Sequence, residues 1–365
     1  MNQSKPIPPL NQIPDYLQTV ADYETQAEKH LPDQIWQYLI GGSMDELSVQ
    51  DNLNQFQKIQ LIPRVLNDVT KGSTEIEILG QIFPQPIFVA PIGHQQQFHP
   101  DAEAATALAA EVLGSNMVLS TFTNTDMRAL KKENPYKWFQ LYWQGNRENS
   151  LTLIQIAEQH HYKAIVVTVD APHTGIRDRE RRIFFELATQ SKLPHHNIQQ
   201  PIINKTEHPL FNGLMKLAPT WEDIAWLVKN TELPVILKGI LHPLDARKAV
   251  ELGVKGLIIS NHGGRVLDTS ISPLTALQNI KAVVPEDFPL LLDGGIRRGT
   301  DVFKALAMGA SAVLIGRPAM YGLAVAGALG VAHVLKILKE EFEITMALMG
   351  TATVAEINSE YISHK

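Results

Sequence analysis

Eight short apolar runs occur between residues 87 and 315, and most are rich in the β-branched and aromatic residues that favour strands. Between them, apolar residues recur every three or four positions, as in DAEAATALAAEVLG, LDARKAVELG and TDVFKALAMG, which predicts helices. We place the strands at 87–90, 118–120, 138–142, 165–169, 235–238, 257–260, 290–292 and 312–315. This alternation predicts the α/β class and a (β/α)8 TIM barrel in preference to a doubly wound sheet.

The rest of the chain is interpreted as additions to a single domain spanning 1–365. The pattern of residues 1–80 predicts an N-terminal helical and hairpin segment, and residues 81–350 form the barrel. Residues 186–220, after the fourth strand, are too many for an ordinary connection and predict a lid loop. The apolar segment 319–335 contains a histidine and is shorter than the ~20 residues of a membrane span, so we predict a helix packed against the sheet.

Composition and charge exclude several classes of function. The net charge is −6, and no basic block is present, so we expect no nucleic-acid partner. The absence of cysteine excludes disulfides, thiolate metal sites and cysteine nucleophiles, and we expect no metal. The polar, proline-rich start lacks the apolar region of a secretory signal. We therefore expect a cytoplasmic protein without a membrane partner.

Polar or small residues stand at the carboxyl end of every predicted strand, the face on which TIM barrels carry their active sites. Each has a structural alternative: Asp170 could cap a helix, Lys238 could be a solvated strand end, Tyr142 could belong to the core, and His262 could simply end a strand. Eight such ends together favour a site. The residues are Pro91, Ile92, Gly93, Ser120, Phe122, Gln140, Tyr142, Thr168, Asp170, Lys238, Ser260, His262, Arg265, Asp293, Gly295, Arg297, Gly316 and Arg317.

The last two strand ends carry glycines and arginines, in DGGIRRG and GRP. TIM barrels bind phosphate at this position through backbone N–H groups and a helix N-terminus. The spacing of GGIRRG differs from GxGxxG, so the dinucleotide fingerprint of a Rossmann fold is absent. The sequence predicts a phosphorylated ligand.

Six segments, SNHGGR, DGGIRRGTDVFKALAMGA, GRP, FQLYW, TVDAP and YLIGGSMDE, together resemble the FMN-dependent 2-hydroxy-acid oxidase and dehydrogenase family, which includes glycolate oxidase, lactate oxidase and mandelate dehydrogenase. The resemblance runs from about residue 23 to residue 350. Within the family, the chain is most similar to 4-hydroxymandelate-oxidase-like and lactate-oxidase-like members in three segments, APIGHQQQFHP, WFQLYW and VILKGI. The resemblance implies noncovalent FMN and oxidation of an L-2-hydroxy acid to the 2-oxo acid. It also implies that the electrons pass to oxygen, with H2O2 formed, or to another soluble acceptor. It further implies a homotetramer.

The same resemblance implies a role for each candidate residue. His262 is the base, Asp170 is its partner, and Tyr142 faces the substrate hydroxyl. Arg177 and Arg265 bind the substrate carboxylate, a task that suits the two-pronged guanidinium, and Tyr23 assists from the N-terminal segment. Lys238 lies near the N1–C2=O edge of the flavin. The other flavin contacts implied are Pro91, Ile92, Gly93, Ser120, Gln140, Thr168 and Ser260 at the ring, and Asp293, Gly295, Arg297, Gly316 and Arg317 at the ribityl and phosphate end.

Two positions in the implied substrate pocket differ from many family members. Gly93 stands where many have alanine, and Phe122 where they often have tryptophan or tyrosine. We expect a wider, more apolar pocket and a preference for longer aliphatic or aromatic 2-hydroxy acids over glycolate, with lactate intermediate. The alternative is that Gly93 only relieves backbone crowding, in which case the lid loop sets the specificity.

Two other functions remain as alternatives. An FMN-dependent isomerase on the same barrel, such as the type 2 isopentenyl-diphosphate isomerase, would bind a diphosphate and need no His-Arg pair after the sixth strand. A catalytically silent flavin-binding protein would be expected to have lost His262, Arg265 or Tyr142, and all three are present.

Overall fold

A computed structural model describes residues 5–130, 136–183, 193–195 and 208–364. Within these ranges, eight parallel strands, β4 to β11, close into a barrel in which each strand pairs with the next along the chain and β11 pairs with β4. The strands are β1 (Ile59–Leu61), β2 (Ile76–Ile78), β3 (Gln81–Phe83), β4 (Ile87–Val89), β5 (Met117–Leu119), β6 (Lys137–Leu141), β7 (Ile165–Thr168), β8 (Val235–Ile240), β9 (Gly256–Ile259), β10 (Leu290–Asp293), β11 (Ala312–Ile315) and β12 (Ile362–His364). The predicted TIM barrel is confirmed.

All eight predicted strands are present, with ends that differ by at most two residues. Seven are buried at every position, and β8 is buried at all positions but one. Strands buried on both faces are apolar without alternation, which is why they appear as continuous runs in the sequence. The exception in β8 is Gly239, whose φ of +107° accompanies a register shift against β9.

Helices connect most of the barrel strands, and others precede the barrel along the chain. They are α1 (Val20–His30), α2 (Asp33–Ile40), α3 (Leu47–Gln57), α4 (Ala102–Val112), α5 (Arg147–Gln159), α6 (Asp178–Arg182), α7 (Trp221–Lys229), α8 (Pro243–Glu251), α9 (Pro273–Lys281), α10 (Gly299–Ala307) and α11 (Arg317–Met349). The predicted alternation is incomplete after β5. The described residues of that connection form only a 3₁₀ turn, Met127–Ala129.

The N-terminal segment is built onto the barrel. Helix α1 packs against α11, α2 contacts α6, and α3 contacts the turn that follows β9. Strands β2 and β3 form a hairpin, and β1 pairs with β12 near the end of the chain. Helices α2 and α3 are thereby held against loops at the carboxyl ends of the barrel strands, where the candidate site lies.

Helix α11 contains the apolar segment 319–335. Among the described residues, it is the one helix long and apolar enough to cross a membrane, and 72% of its most apolar window is buried inside the protein. Ala326 and Gly327 depart from helical geometry and divide it into two parts. It packs against α1, α4, α10 and strand β4, which agrees with the predicted helix packed against the sheet.

Candidate active site

A cavity of about 1080 Å³ opens at the carboxyl ends of the barrel strands. Most of the residues predicted from the strand ends line it, together with Arg177 from the segment before α6. The predicted residues in its wall are Pro91, Ile92, Gly93, Ser120, Phe122, Tyr142, Thr168, Arg177, Lys238, His262, Arg265, Asp293, Gly295, Arg297, Gly316 and Arg317. Gln140, Asp170 and Ser260 lie immediately behind this wall and contact residues in it.

His262 in the cavity wall pairs with Asp170 behind it, with His262 Nδ1 3.0 Å from Asp170 Oδ1. Burial alone would raise the pKa of Asp170, but His262 and Lys238 outweigh it and hold that pKa below its ordinary value. The ionised carboxylate can only accept a hydrogen bond, so Nδ1 carries the hydrogen and Nε2 is available as a base. Gly239 permits this approach, since a Cβ there would lie 2.4 Å from the Asp170 Cβ.

Tyr142 lies on the other side of the imidazole, with its hydroxyl oxygen 3.3 Å from His262 Nε2. Burial raises the pKa of Tyr142, so the hydroxyl stays protonated at neutral pH. A protonated hydroxyl can donate a hydrogen bond to an oxygen bound beside His262. The two side chains thus offer one donor and one base at the same point in the cavity.

The turn that carries His262 has an uncommon backbone. His262, Gly263 and Gly264 have φ values of +59°, +64° and +75°. The Ser260 hydroxyl accepts the His262 N–H at 3.0 Å, and the Asn261 side chain accepts the Gly264 N–H at 3.1 Å. These bonds hold the left-handed turn in place.

Helix α3 supports this turn through a buried amide pair. The Asn52 and Asn261 side chains exchange two hydrogen bonds of 2.8 Å each. Gly264 packs so closely on α3 that a Cβ there would lie 2.7 Å from the Val49 nitrogen. The N-terminal segment therefore positions the catalytic turn from outside the cavity.

Lys238 places a buried positive charge in the cavity wall. Its Nζ lies 3.2 Å from Asp293 Oδ2 and donates to the Ser260 hydroxyl at 2.9 Å. Burial would lower the pKa of Lys238, but Asp293 and Asp170 raise it above its ordinary value. The ammonium therefore remains charged.

Unpaired buried polar atoms test whether this wall fits a flavin ring. Gln140 Oε1 accepts hydrogen bonds from the Ser120 hydroxyl and the Thr121 N–H, both at 3.1 Å. Its Nε2 is buried and has no partner among the described residues, and neither has Asp293 Oδ1. The edge of an isoalloxazine ring alternates carbonyl and nitrogen acceptors with an N–H donor, so the free Gln140 donor and the charged Lys238 suit it.

The phosphate end predicted from the sequence is a cluster of positive charge. Burial and the neighbouring Arg265 lower the pKa of Arg317 to about 10, and Arg297 adds to the repulsion. Arg317 donates to three carbonyl oxygens, those of Leu39, Gly41 and Gly263. An anion would relieve this repulsion. The residues present therefore fit an FMN phosphate at this end.

Arg265 and Arg177 lie together where the substrate carboxylate is predicted to bind. Arg265 Nη1 donates to the carbonyl oxygens of Tyr38 and Gly41 at 2.8 and 2.7 Å. Its guanidinium carbon also lies 4.9 Å from the centre of the Tyr38 ring. Glu180 contacts both arginines, at 3.2 Å from Arg265 Nη2 and 3.3 Å from Arg177 Nη1.

The structure corrects the assignment of Tyr23. Its side chain is fully buried between α1 and α11, where its hydroxyl bonds to His333 Nδ1 at 2.8 Å, and it does not line the cavity. The tyrosine that the N-terminal segment contributes to the cavity is Tyr38, in α2. The sequence contained a signal for it, because Tyr38 is the first residue of the YLIGGSMDE segment.

The structure also changes the interpretation of Gly93. A Cβ at this position would lie 2.6 Å from the Phe122 Cβ, so the missing methyl would point at Phe122. Phe122 stacks on His94, with ring centres 5.6 Å apart, and contacts Tyr142, with ring centres 4.8 Å apart. Gly93 therefore allows a row of rings to pack beside the base, and the expectation that it directly enlarges the pocket is wrong.

Ser260 differs in detail from its predicted role, because its hydroxyl bonds to Lys238 and to the His262 backbone and does not line the cavity. The predicted lid loop lies partly outside the described residues, which omit 184–192 and 196–207. The parts of it that the structure describes, 193–195 and 208–220, reach the cavity through Leu193, Leu214 and Met215 among others.

Sequence reasoning missed Glu180 and Asn52. Glu180 follows Arg177 at helical spacing, which is a usable signal, whereas nothing in the sequence links Asn52 to a residue 209 positions away. In the part of the chain that the structure describes, no group of three or more histidine, aspartate or glutamate side chains could hold a metal ion.

Comparisons with known proteins agree with this site. The FMN-dependent dehydrogenase family matches residues 27–364. An L-lactate oxidase of Roseobacter sp. (strain GAI101) is 42% identical over 356 residues, covering 94% of both chains. A peroxisomal (S)-2-hydroxyacid oxidase of Arabidopsis thaliana is 40% identical over 352 residues, covering 95% of this chain and 97% of the relative.

A solved structure of mandelate oxidase with benzoyl-formic acid superposes with a TM-score of 0.87 at 38% identity, covering 95% of this chain and 98% of that one. The barrel, the His262–Asp170 pair, the two arginines and the flavin-compatible wall all occur in a chain that this family matches from residue 27 to residue 364. The protein therefore belongs to the FMN-dependent 2-hydroxy-acid oxidase and dehydrogenase family and is an FMN enzyme that oxidises 2-hydroxy acids.

Proposed function

We propose that the enzyme oxidises an L-2-hydroxy acid with an apolar side chain larger than that of glycolate and passes the electrons to oxygen. One observation carries this proposal. The His262–Asp170 pair, Tyr142 and two arginines share a cavity with the flavin-compatible wall, and the rest of that cavity is largely apolar. The relatives named L-lactate oxidase and the structure of mandelate oxidase support both the chemistry and the acceptor.

The residues divide the work as follows. Arg177 and Arg265 bind the carboxylate and thereby place the hydroxyl-bearing carbon beside Tyr142 and His262. Tyr142 donates a hydrogen bond to the hydroxyl oxygen, and His262 Nε2 takes one of the two protons that the substrate loses. Asp170 stabilises the imidazolium that results. FMN, when bound, would accept the two electrons together with the second proton.

The preference for a larger side chain rests on the cavity wall contributed by the segment after β7. Its described residues there are mostly apolar and include Leu214, Met215, Leu217, Trp221 and Ile224. Burial is worth roughly 0.8 kcal/mol per CH₂, so each methylene that reaches this wall could improve kcat/KM several-fold. Glycolate has no side chain to gain from it.

A substrate panel tests the proposal. We expect L-mandelate and L-2-hydroxyoctanoate to give higher kcat/KM values than L-lactate, and L-lactate a higher value than glycolate. In Gly93→Ala, the added methyl displaces Phe122, at an overpacking cost of about 1–3 kcal/mol, and lowers kcat/KM most for the two large acids. If glycolate is the best substrate, the apolar wall does not set the specificity, and if Gly93→Ala leaves the order unchanged, the position of Phe122 does not contribute to it.

The acceptor is tested in the same experiment. Anaerobic mixing with the best acid should bleach the flavin, and admission of air should restore its colour while H2O2 forms in equal amount. A reduced flavin that persists for minutes in air would indicate another soluble acceptor. We also propose that the protein is cytoplasmic, and recovery without detergent tests the absence of a membrane partner.

A further inference from the structure

We propose that Glu180 is a positioning residue that sets the charge of the substrate-carboxylate site and so makes the enzyme selective for monocarboxylates. This inference rests on the proposed carboxylate-binding role of Arg177 and Arg265. Glu180 Oε1 lies 3.2 Å from Arg265 Nη2 and 3.3 Å from Arg177 Nη1. All three side chains are at most 17% exposed, so water screens their charges weakly.

The charges of these three side chains sum to a single positive charge. Two guanidiniums contribute two positive charges, and Glu180 removes one. Burial lowers the pKa of Arg265, and the positive charge of Arg177 lowers it further, whereas Glu180 acts in the opposite direction. Glu180 therefore permits two arginines to lie side by side while leaving one net charge, which matches one substrate carboxylate.

The helix that carries Glu180 is held in place by the contacts of the neighbouring Arg179. Arg179, the preceding residue, donates to both carboxylate oxygens of Glu46 at 2.8 and 2.6 Å and to Gln37 Oε1 at 2.6 Å. These bonds fasten α6 to the N-terminal segment. The five-residue helix then directs Glu180 back to Arg177, three positions earlier.

Donors for a ligand remain after these contacts. Arg265 Nη1 is occupied by the carbonyl oxygens of Tyr38 and Gly41, and its Nη2 contacts Glu180. Arg265 Nε and Arg177 Nη2 make no hydrogen bond within the described residues. A carboxylate can therefore bind without displacing Glu180, and it experiences the summed charge of all three groups.

The test uses holoenzyme of the wild type, Glu180→Gln and a control variant, Asp178→Asn. Asp178 lies on the same short helix, but its carboxylate faces Arg181 at 3.7 Å and does not line the cavity. Dissociation constants for acetate and oxalate are measured from the change in flavin absorbance, and KM and kcat are measured with L-lactate. The readout is the ratio of the two dissociation constants, because a purely structural role for Glu180 would not change it.

We expect Glu180→Gln to bind acetate several-fold more tightly and oxalate at least about tenfold more tightly. The reason is that the Glu180 carboxylate repels each negative charge of the ligand, and oxalate carries two such charges whereas acetate carries one. KM for L-lactate should fall by more than kcat changes, and Asp178→Asn should match the wild type. A ratio in Glu180→Gln within twofold of the wild-type ratio would overturn the inference.

A second variant keeps the test decisive if Glu180→Gln does not fold. Glu180→Asp retains the charge but moves it one methylene farther from the arginines. The dissociation constant of acetate divided by that of oxalate should therefore lie between the wild-type value and the several-fold larger value expected for Glu180→Gln. No change in either dissociation constant would contradict the inference. Failure of the wild type to bind acetate or oxalate at all would instead remove the carboxylate site on which the inference rests.

Discussion

His262 has a left-handed backbone conformation that few histidines adopt, with φ of +59°. Such a conformation costs of order 1–3 kcal/mol and persists only where its surroundings determine it. Here Ser260 and Asn261 bond to the turn, and Asp170 holds the imidazole. The strained backbone thus places the imidazole so that its Nε2 lies 3.3 Å from the Tyr142 hydroxyl oxygen.

We predict that His262→Ala binds FMN but reduces it at least about 10²–10⁴ times more slowly, since general-base catalysis contributes a factor of this size. Anaerobic stopped-flow absorbance with the best acid measures the rate. Retention of the yellow colour through gel filtration serves as the control for binding. A reduction rate near that of the wild type would show that another group is the base.

Tyr23 and Tyr38 of the N-terminal segment give opposite predictions. Tyr38→Leu removes the ring beneath the Arg265 guanidinium and should raise KM by about 2- to 30-fold, from the ~0.5–2 kcal/mol of a cation–π contact. Tyr23→Phe removes only the hydrogen bond to His333 and should cost about 1 kcal/mol of stability with KM unchanged. Steady-state kinetics and thermal unfolding separate them, and an increased KM in Tyr23→Phe alone would reverse the assignment.

The place of an individual residue could be predicted where the sequence indicates which strand or helix carries it and at which end of that element it lies. His262, Lys238 and Arg317 each come directly after or at the end of an apolar run, so their place on the barrel face follows from the strand. Tyr23 and Tyr38 are both in helices, and choosing between them requires the packing angle of those helices on the barrel, which no local pattern contains. The direction of the missing Gly93 methyl was beyond prediction for the same reason.

At the scale of elements, α3 and the loop after β9 form one unit. Asp268 in that loop accepts hydrogen bonds from the N–H groups of Asp45, Leu47 and Ser48 at 3.1, 3.3 and 2.8 Å. It thus serves the function of an N-cap for α3 from 220 residues away along the chain. The barrel strands needed only their own composition to be recognised, whereas this cap depends on a long-range contact and has no sequence signal.

Acid should remove the contribution of Asp268. Burial would raise its pKa, but the backbone donors, Ser48 first, outweigh burial and lower the pKa in the folded state. A carboxylate whose pKa is lower in the folded than in the unfolded protein stabilises the fold above about pH 4, its ordinary pKa. This stabilisation is lost as the pH falls through the lowered pKa of the folded state. Asp268→Asn should therefore melt below the wild type at pH 7, and the difference should shrink below about pH 4. Asp287→Asn, at an exposed position, is the control, and a difference that grows in acid would contradict this account.

For the whole molecule, several exposed apolar side chains lie in the segment before β2 and near the end of α11. Val65 and Leu66 are 76% and 100% exposed, and Ile344 and Leu348 are 60% and 71% exposed. The two segments are adjacent, because the Asn67 side chain donates to the Gly350 carbonyl at 2.8 Å. Large apolar side chains exposed on neighbouring segments favour an interface.

We predict a homotetramer that uses this surface. Sedimentation velocity of the wild type should give about four times the mass of one chain, and Leu66→Lys combined with Leu348→Lys should give a smaller species. Leu244→Lys, at another exposed leucine, serves as the control. A monomer at micromolar concentration would contradict the prediction.

The carbonyl oxygen of Gly41, just past α2, accepts hydrogen bonds from both Arg265 and Arg317, at 2.7 and 2.9 Å. One peptide group therefore joins the arginine of the carboxylate site to the arginine of the phosphate site, so a shift of α2 alters both. Two equilibria joined in this way share one coupling free energy, which acts equally in each direction. A carboxylate that binds more tightly when FMN is present must also strengthen the binding of FMN. The anions in a storage buffer therefore influence how well this enzyme keeps its flavin.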